Sequence, residues 1–156
     1  MELYRISFIG HRYIEGHSHL EDKVCEIICD YLRRKEYVEI YVGRNGDFDI
    51  LSASAVKCAQ KLEGSENSSL ILALPYVMRD IDLYERFYDE VIIPIPQSHP
   101  KSAITKRNRW MIDNSDLLIA FVEEKRGGGA MATIKYAEKK KIEIINLALS
   151  DKKSGS

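Results

Sequence analysis

Short apolar runs alternate with segments of helical periodicity along the whole chain. "YRISFIG" (4–10), "VEIYVG" (38–43), "SLILALP" (69–75), "EVIIPI" (90–95), "DLLIAFV" (116–122) and "IEIINL" (142–147) have strand length and are rich in Ile, Leu and Val. After the first run, Leu20, Val24, Ile27, Ile28, Tyr31 and Leu32 recur every three or four residues, which lays one apolar stripe along a helix. Leu51, Ala55, Cys58, Ala59 and Leu62 predict a second buried stripe. "AITKRNRWMIDNS" (103–115) carries a weaker one, and a short segment around "DIDLYERFY" precedes the fourth run. A last helix opens at the triple glycine Gly127, Gly128, Gly129. Strands this uniformly apolar are buried on both faces, as in a parallel sheet covered by helices. The pattern therefore predicts an α/β fold, a Rossmann-like three-layer sandwich with a mostly parallel central sheet. One domain is expected over residues 1–149, with "SDKKSGS" (150–156) as a flexible tail.

Composition narrows the classes. At 156 residues and 45% apolar content the chain can bury a single sizeable core. No stretch approaches 18 consecutive apolar residues, and "MELYRISFIGHR" reads as a strand rather than a signal peptide, so a cytoplasmic protein without a membrane partner is expected. Cys25, Cys29 and Cys58 form no CxxC pair and read as small apolar residues in a reducing compartment. His11, His17 and His19 lack acidic or cysteine ligands at metal-binding spacing, so no metal is expected. Basic and acidic side chains number 23 and 24, a net charge of -1, which argues against a nucleic-acid partner. The run Lys139 to Lys141 ends a helix, where cations suit the dipole, and reads as a solvated turn.

The chemically distinctive residues fall just after the strands, where ligands bind in open parallel sheets. Gly10, His11 and Arg12 follow the first. Gly43, Arg44, Gly46, Asp47 and Asp49 follow the second, Arg79 lies beyond the third, and Lys125 and Arg126 with the three glycines follow the fifth. Glycines let backbone N–H groups approach an anion, and a helix N-terminus adds positive potential. Arg12, Arg44, Arg79 and Arg126 offer planar donors to phosphate oxygens, and Asp47 or Asp49 could accept from ribose hydroxyls. Any one of these turns alone is equally a structural turn; three glycine-plus-arginine turns at equivalent strand ends point to a phosphate-bearing ligand.

"SFIGHR", "RNRWMIDNSDLLIAFV" and the glycine turn before "TIKYAEKKKIEIINL" resemble the SLOG superfamily, and within it the YpsA-type branch. The resemblance spans about residues 4 to 147. It implies a Rossmannoid domain that binds or senses a nucleotide or nucleotide-sugar, of nucleoside phosphate, ADP-ribose or cyclic ADP-ribose type, often as a homo-oligomer and with no resident cofactor. It also implies that Gly10, His11 and Arg12 match the first-strand motif, Asn108 a polar position of the crossover, and Gly127 to Gly129 the phosphate-binding turn. The second loop departs from the family pattern, leaving open which of Asp47 and Asp49 takes the acid's role.

Two enzymatic relatives sharpen the question of turnover. The Lonely Guy phosphoribohydrolases resemble this chain in their glycine turn, and the nucleoside deoxyribosyltransferases in the helix that follows. Where they carry glutamate, this sequence has Ile134 and Thr133 respectively. Glycosidic cleavage passes through an oxocarbenium-like state that a carboxylate stabilises, and a threonine hydroxyl without a base does not replace it. The expectation is binding without turnover and no catalytic residue. The alternative is a divergent N-glycoside hydrolase using Asp47, Asp49 or His11; a third class, a nucleic-acid-binding module by analogy with the DNA-processing branch of the superfamily, finds no wider basic face or aromatic stacking platform in the sequence.

Overall fold

The structure, a computed structural model, describes residues 1–149; the expected tail lies outside the described residues. Six strands form one sheet: β1 (Leu3–Gly10), β2 (Tyr37–Val42), β3 (Ser68–Ala73), β4 (Glu90–Ile92), β5 (Leu117–Phe121) and β6 (Glu143–Asn146). Five helices connect them: α1 (Leu20–Arg34), α2 (Asp47–Glu63), α3 (Ile81–Phe87), α4 (Ala103–Asp113) and α5 (Gly128–Lys140). The order across the sheet is β4-β3-β2-β1-β5-β6, and every pairing is parallel. The fold is thus an α/β Rossmann-like sandwich.

Alternation within each strand builds two cores. Ile6, Phe8, Ile40, Val42, Leu70, Leu72, Ile119 and Phe121 face α1 and α2, while Ile9, Tyr41, Ile71, Ala73, Leu118 and Ala120 face α4 and α5. Burying each large side chain contributes roughly 1.5–3 kcal/mol, so both helical layers are held mainly by the sheet. The chain winds from β1 through β4 toward one edge, then returns to place β5 on the other side of β1. That reversal opens a crevice between the ends of β1 and β5, the topological switch point where open sheets bind ligands.

Two elements differ from the sequence pattern. The second helix begins at Asp47, and its buried face runs through Phe48, Ser52, Ala55, Val56 and Ala59; Cys58 is exposed and Leu62 is 69% exposed. Phe48 decides this register, because it packs against Phe8 and Phe121 and rotates the helix away from the predicted stripe. The fourth apolar run keeps strand pairing only over Glu90–Ile92, before Pro94, whose nitrogen has no hydrogen to donate.

Candidate functional site

A cavity of about 330 Å³ opens at the switch point. Gly10, His11 and Arg12 line it from the end of β1, and Gly43, Asn45 and Asp49 from the loop and helix after β2. Arg107 and Asn108 enter from α4, and Arg126 through Ala130 from the turn that opens α5.

The α5 turn is the most open wall. After a 3-10 turn at Glu124–Arg126, Gly127 and Gly128 take φ of +60° and +81°, which L side chains resist. A Cβ on Gly127, Gly128 or Gly129 would meet nothing within 4 Å. The first turn of α5 has no acidic residue and no side-chain cap, so its N–H groups are available to an anion in the cavity. Arg126 Nη1 donates to the Tyr13 carbonyl at 2.8 Å and Arg12 Nε to the Asn45 carbonyl at 3.2 Å, which tethers two guanidinium groups at the rim.

The floor holds two buried side chains of opposite charge type, Asp49 and Arg107. Asp49 and Arg107 are 9% and 3% exposed, and a Cβ on Gly43 would lie within about 3.0 Å of both side chains. Arg107 Nη1 donates to the Ala73 carbonyl at 2.7 Å and its Nε to Asn108 Oδ1 at 2.9 Å. Asp49 Oδ2 accepts the Asn45 N–H at 2.8 Å. Burial raises the Asp49 carboxyl, against the opposing pull of that N–H and of Arg107. Burial likewise lowers Arg107, against the Asp49 charge.

His11 is a clamp. Its Nε2 accepts the Glu123 N–H at 2.8 Å, so the ring is neutral at that nitrogen and joins the end of β1 to the loop after β5. Burial, then the Arg126 charge, lowers its pKa below the usual 6.5, with Glu123 opposing. Asp47 is a clip: its Oδ2 accepts the Ile14 N–H at 2.9 Å and its own N–H donates to the Arg12 carbonyl at 2.8 Å. Gly46 permits that contact, since a Cβ there would stand 2.4 Å from Arg12 Cα. Gly10 admits Phe48, whose ring would lie 2.3 Å from an added Cβ.

Of the sequence-predicted residues, Gly10, His11, Arg12, Gly43, Asp49, Asn108 and Gly127 to Gly129 surround the cavity. Gly46 and Asp47 brace its wall. Arg44 and Arg79 are exposed outside it, and the Arg44 guanidinium lies 4.8 Å over the Tyr84 ring. Thr133 is buried behind the turn, its hydroxyl donating to the Gly129 carbonyl at 3.0 Å, with Asn108 Nδ2 at 3.5 Å. Asn45 and Arg107 were not singled out from the sequence. Arg107 had a signal, since Ala103, Arg107 and Met111 share one buried face at intervals of four. Among the described residues no group of three or more His, Cys, Asp or Glu could hold a metal ion, and no helix is long and apolar enough to cross a membrane.

No family model matches the chain, and no curated protein matches it by sequence. Solved structures do match. DNA processing protein A from Streptococcus pneumoniae superposes with a TM-score of 0.65 at 13% identity, over 91% of this chain and 49% of that one. DNA processing protein A from Helicobacter pylori gives 0.61 at 15%, over 90% and 63%. The molybdenum cofactor carrier protein of Chlamydomonas reinhardtii gives 0.56 at 16%, over 92% and 75%. The chain therefore spans between half and two thirds of the length of the two DNA-processing proteins. At these identities the likeness shows the fold, a Rossmann-like α/β sandwich, and nothing finer.

One expectation is corrected by this finding. Balanced charge does not carry the expectation of no nucleic-acid partner, because the Helicobacter protein, of the same fold, has a single-stranded DNA binding mode. Net charge sums over the whole surface, whereas a strand meets only one part of it, so a total near zero does not exclude this partner.

Proposed function

We propose that the cavity binds the phosphate-bearing end of a nucleotide or nucleotide-sugar, of the nucleoside phosphate or ADP-ribose type, and holds it without turnover, as a sensor or carrier would. The observation that carries this reading is the α5 N-terminus, uncapped and free of acidic residues, opening into a cavity with Arg12 and Arg126 at its rim. Backbone donors, helix dipole and guanidinium groups together favour a multiply charged oxyanion. Asp49, on the floor, and Asn108, from α4, are the polar lining groups offered to sugar hydroxyls. The GHR element and the RNRWMIDNSDLLIA stretch support placing the chain in the YpsA-type branch.

Absence of turnover is supported at the residue level. Thr133 is committed to its own helix, Ile134 is 6% exposed, and His11 Nε2 and Asp47 Oδ2 each accept a backbone N–H. Asp49 is the carboxylate that lines the cavity, and its raised pKa is the observation behind a second reading, an N-glycoside hydrolase with Asp49 as acid. A thermal-shift panel of nucleotides followed by chromatography tests both. Ligand at about 100 times Kd adds about 2.7 kcal/mol, roughly 5–10 °C in Tm. No shift with any nucleotide would remove the binding reading; release of free base, lost in Asp49→Asn, would install the second.

A further inference from the structure

Three thiols meet where α1 packs on α2. Both helices cross back against a parallel sheet on the same face, so they lie side by side and run in the same direction. An ion pair marks their register near the C-terminal ends: Arg33 Nη2 lies 2.7 Å from Glu63 Oε1, and Arg33 Nε donates to the same oxygen at 2.8 Å. One turn earlier stand Cys29 on α1 and Ala59 on α2, and one turn before those Cys25 and Ala55. All four are buried in the core shared by the two helices and the sheet. Cys58 adjoins Ala59 and is exposed at the edge of this contact. The Cys25 thiol is in hydrogen-bonding contact with both Cys58 and Cys29, so the exposed thiol of one helix meets a buried thiol of the other.

Packing accounts for Cys25 and Cys29, which fill the apolar stripe of α1. It does not account for Cys58, whose side chain reaches solvent. Among the described residues no group of three or more His, Cys, Asp or Glu could hold a metal ion, which leaves thiol oxidation as the chemistry of the cluster. Burial, then the hydrogen bond to Cys58, pushes the Cys25 thiol up to about 12, which keeps it protonated and inert toward an oxidant on its own. Oxidation therefore enters at Cys58. A peroxide transfers one oxygen to the Cys58 sulfur, giving a sulfenic acid and water. The Cys25 sulfur then attacks the Cys58 sulfur: the S–S bond forms, the S–O bond breaks, and hydroxide leaves with the Cys25 proton as a second water. The two thiols together lose two electrons and two protons, and one peroxide is reduced to two waters.

We infer that Cys58 and Cys25 are a peroxide-responsive thiol pair that closes to a reversible disulfide between α2 and α1. In a reducing compartment such a pair rests as thiols and links only transiently. The pair stands apart from the cavity, since Cys58 follows Asp47 by about 16 Å along α2. It holds or fails independently of the nucleotide reading.

The test exposes the full native chain to hydrogen peroxide, alkylates the remaining thiols with iodoacetamide in urea, and reads intact mass, non-reducing gels and peptides. Trypsin combined with a glutamate-specific protease separates the three thiols, because Glu26 stands between Cys25 and Cys29. The expected product is a monomer lighter by two hydrogens, with a Cys25–Cys58 cross-linked peptide that dithiothreitol reverses. Cys58→Ser, at an exposed position, should leave Cys25 and Cys29 reduced under the same treatment. Cys25→Ala should instead accumulate a sulfenic acid on Cys58, trapped by dimedone. A lasting sulfenic acid on wild-type Cys58 without a link overturns the inference. So does a link that maps to Cys29 or joins two chains, and so does oxidation of Cys25 in Cys58→Ser to the wild-type extent.

Discussion

Replacing Gly129 with aspartate should make the protein more stable and unable to bind. Gly129 is the second residue of α5, it avoids positive φ, and an added Cβ meets nothing within 4 Å. Aspartate there lowers the helix-propensity cost of glycine by about 0.3 kcal/mol. Its charge at an acid-free N-terminus adds about 0.3–1 kcal/mol. The sum is about 1 kcal/mol, or roughly 2–4 °C in Tm for a chain of this size. The same carboxylate occupies the anion site. Losing even one charge-assisted contact costs about 1.5–3 kcal/mol, and repulsion adds to it, so affinity should fall by at least about a hundredfold. Gly129→Ala isolates the backbone effect and should keep binding while gaining part of the stability. Thermal melts of ligand-free protein and calorimetric titration with the best nucleotide give the two readouts. Wild-type affinity in Gly129→Asp would refute the anion site, and a lowered melting temperature would refute the open geometry of the turn.

Other positions separate wall from ligand contact. Arg12→Ala should weaken nucleotide binding by roughly ten- to hundredfold while shifting stability by less than about 0.5 kcal/mol, because the side chain is exposed; calorimetry and urea melts check the pair. The depressed folded-state pKa of His11 means that the folded chain binds fewer protons than the unfolded one below pH 6.5. Its stabilising contribution is full above that value and lost as pH falls through the folded-state pKa, so His11→Gln should flatten the change in urea midpoint between about pH 7.5 and about pH 5.5. Gly10→Ala should cost about 1–3 kcal/mol through overpacking on Phe48, and Gly10→Ala/Phe48→Leu should be less destabilised than the sum of the single changes.

The sheet was legible because its strands are apolar on both faces, and only a parallel sheet under two helical layers satisfies that. The positions of the loops followed from strand order. What the sequence hid was the direction of side chains. Arg44 and Arg79 fall in the right loops, yet Arg44 turns to the Tyr84 ring and Arg79 stands outside the cavity. Arg107 lies amid polar residues in "KRNRWM", and one of the groups it bonds when buried, the Ala73 carbonyl, is 34 positions away in the numbering. His11 read as a loop histidine because its partner, the Glu123 N–H, is 112 positions distant. Net charge is a weak guide to partners for a related reason: a sum over the chain cannot show how the sign is distributed over its surface.

Six of the glycines read together as ligand-binding turns divide by what a Cβ would strike. At Gly10, Gly43 and Gly46 it would strike Phe48, the Arg107–Asp49 pair and the Arg12 backbone. Those glycines bring α2 and the first two strand ends close enough to bury Asp49 and Arg107 beneath the cavity, so substituting them should cost stability first and binding only in consequence. At Gly127, Gly128 and Gly129 it would strike nothing within 4 Å, and all three line the cavity. Positive φ accounts for Gly127 and Gly128 as turn residues, but it does not account for Gly129. At Gly129 in particular, where φ imposes no such demand, an unsubstituted backbone costs the helix stability and leaves room for something outside the chain. Gly129 is therefore better explained by an occupant than by the turn, and the carboxylate-free surroundings of its first helical turn argue that the occupant is an anion.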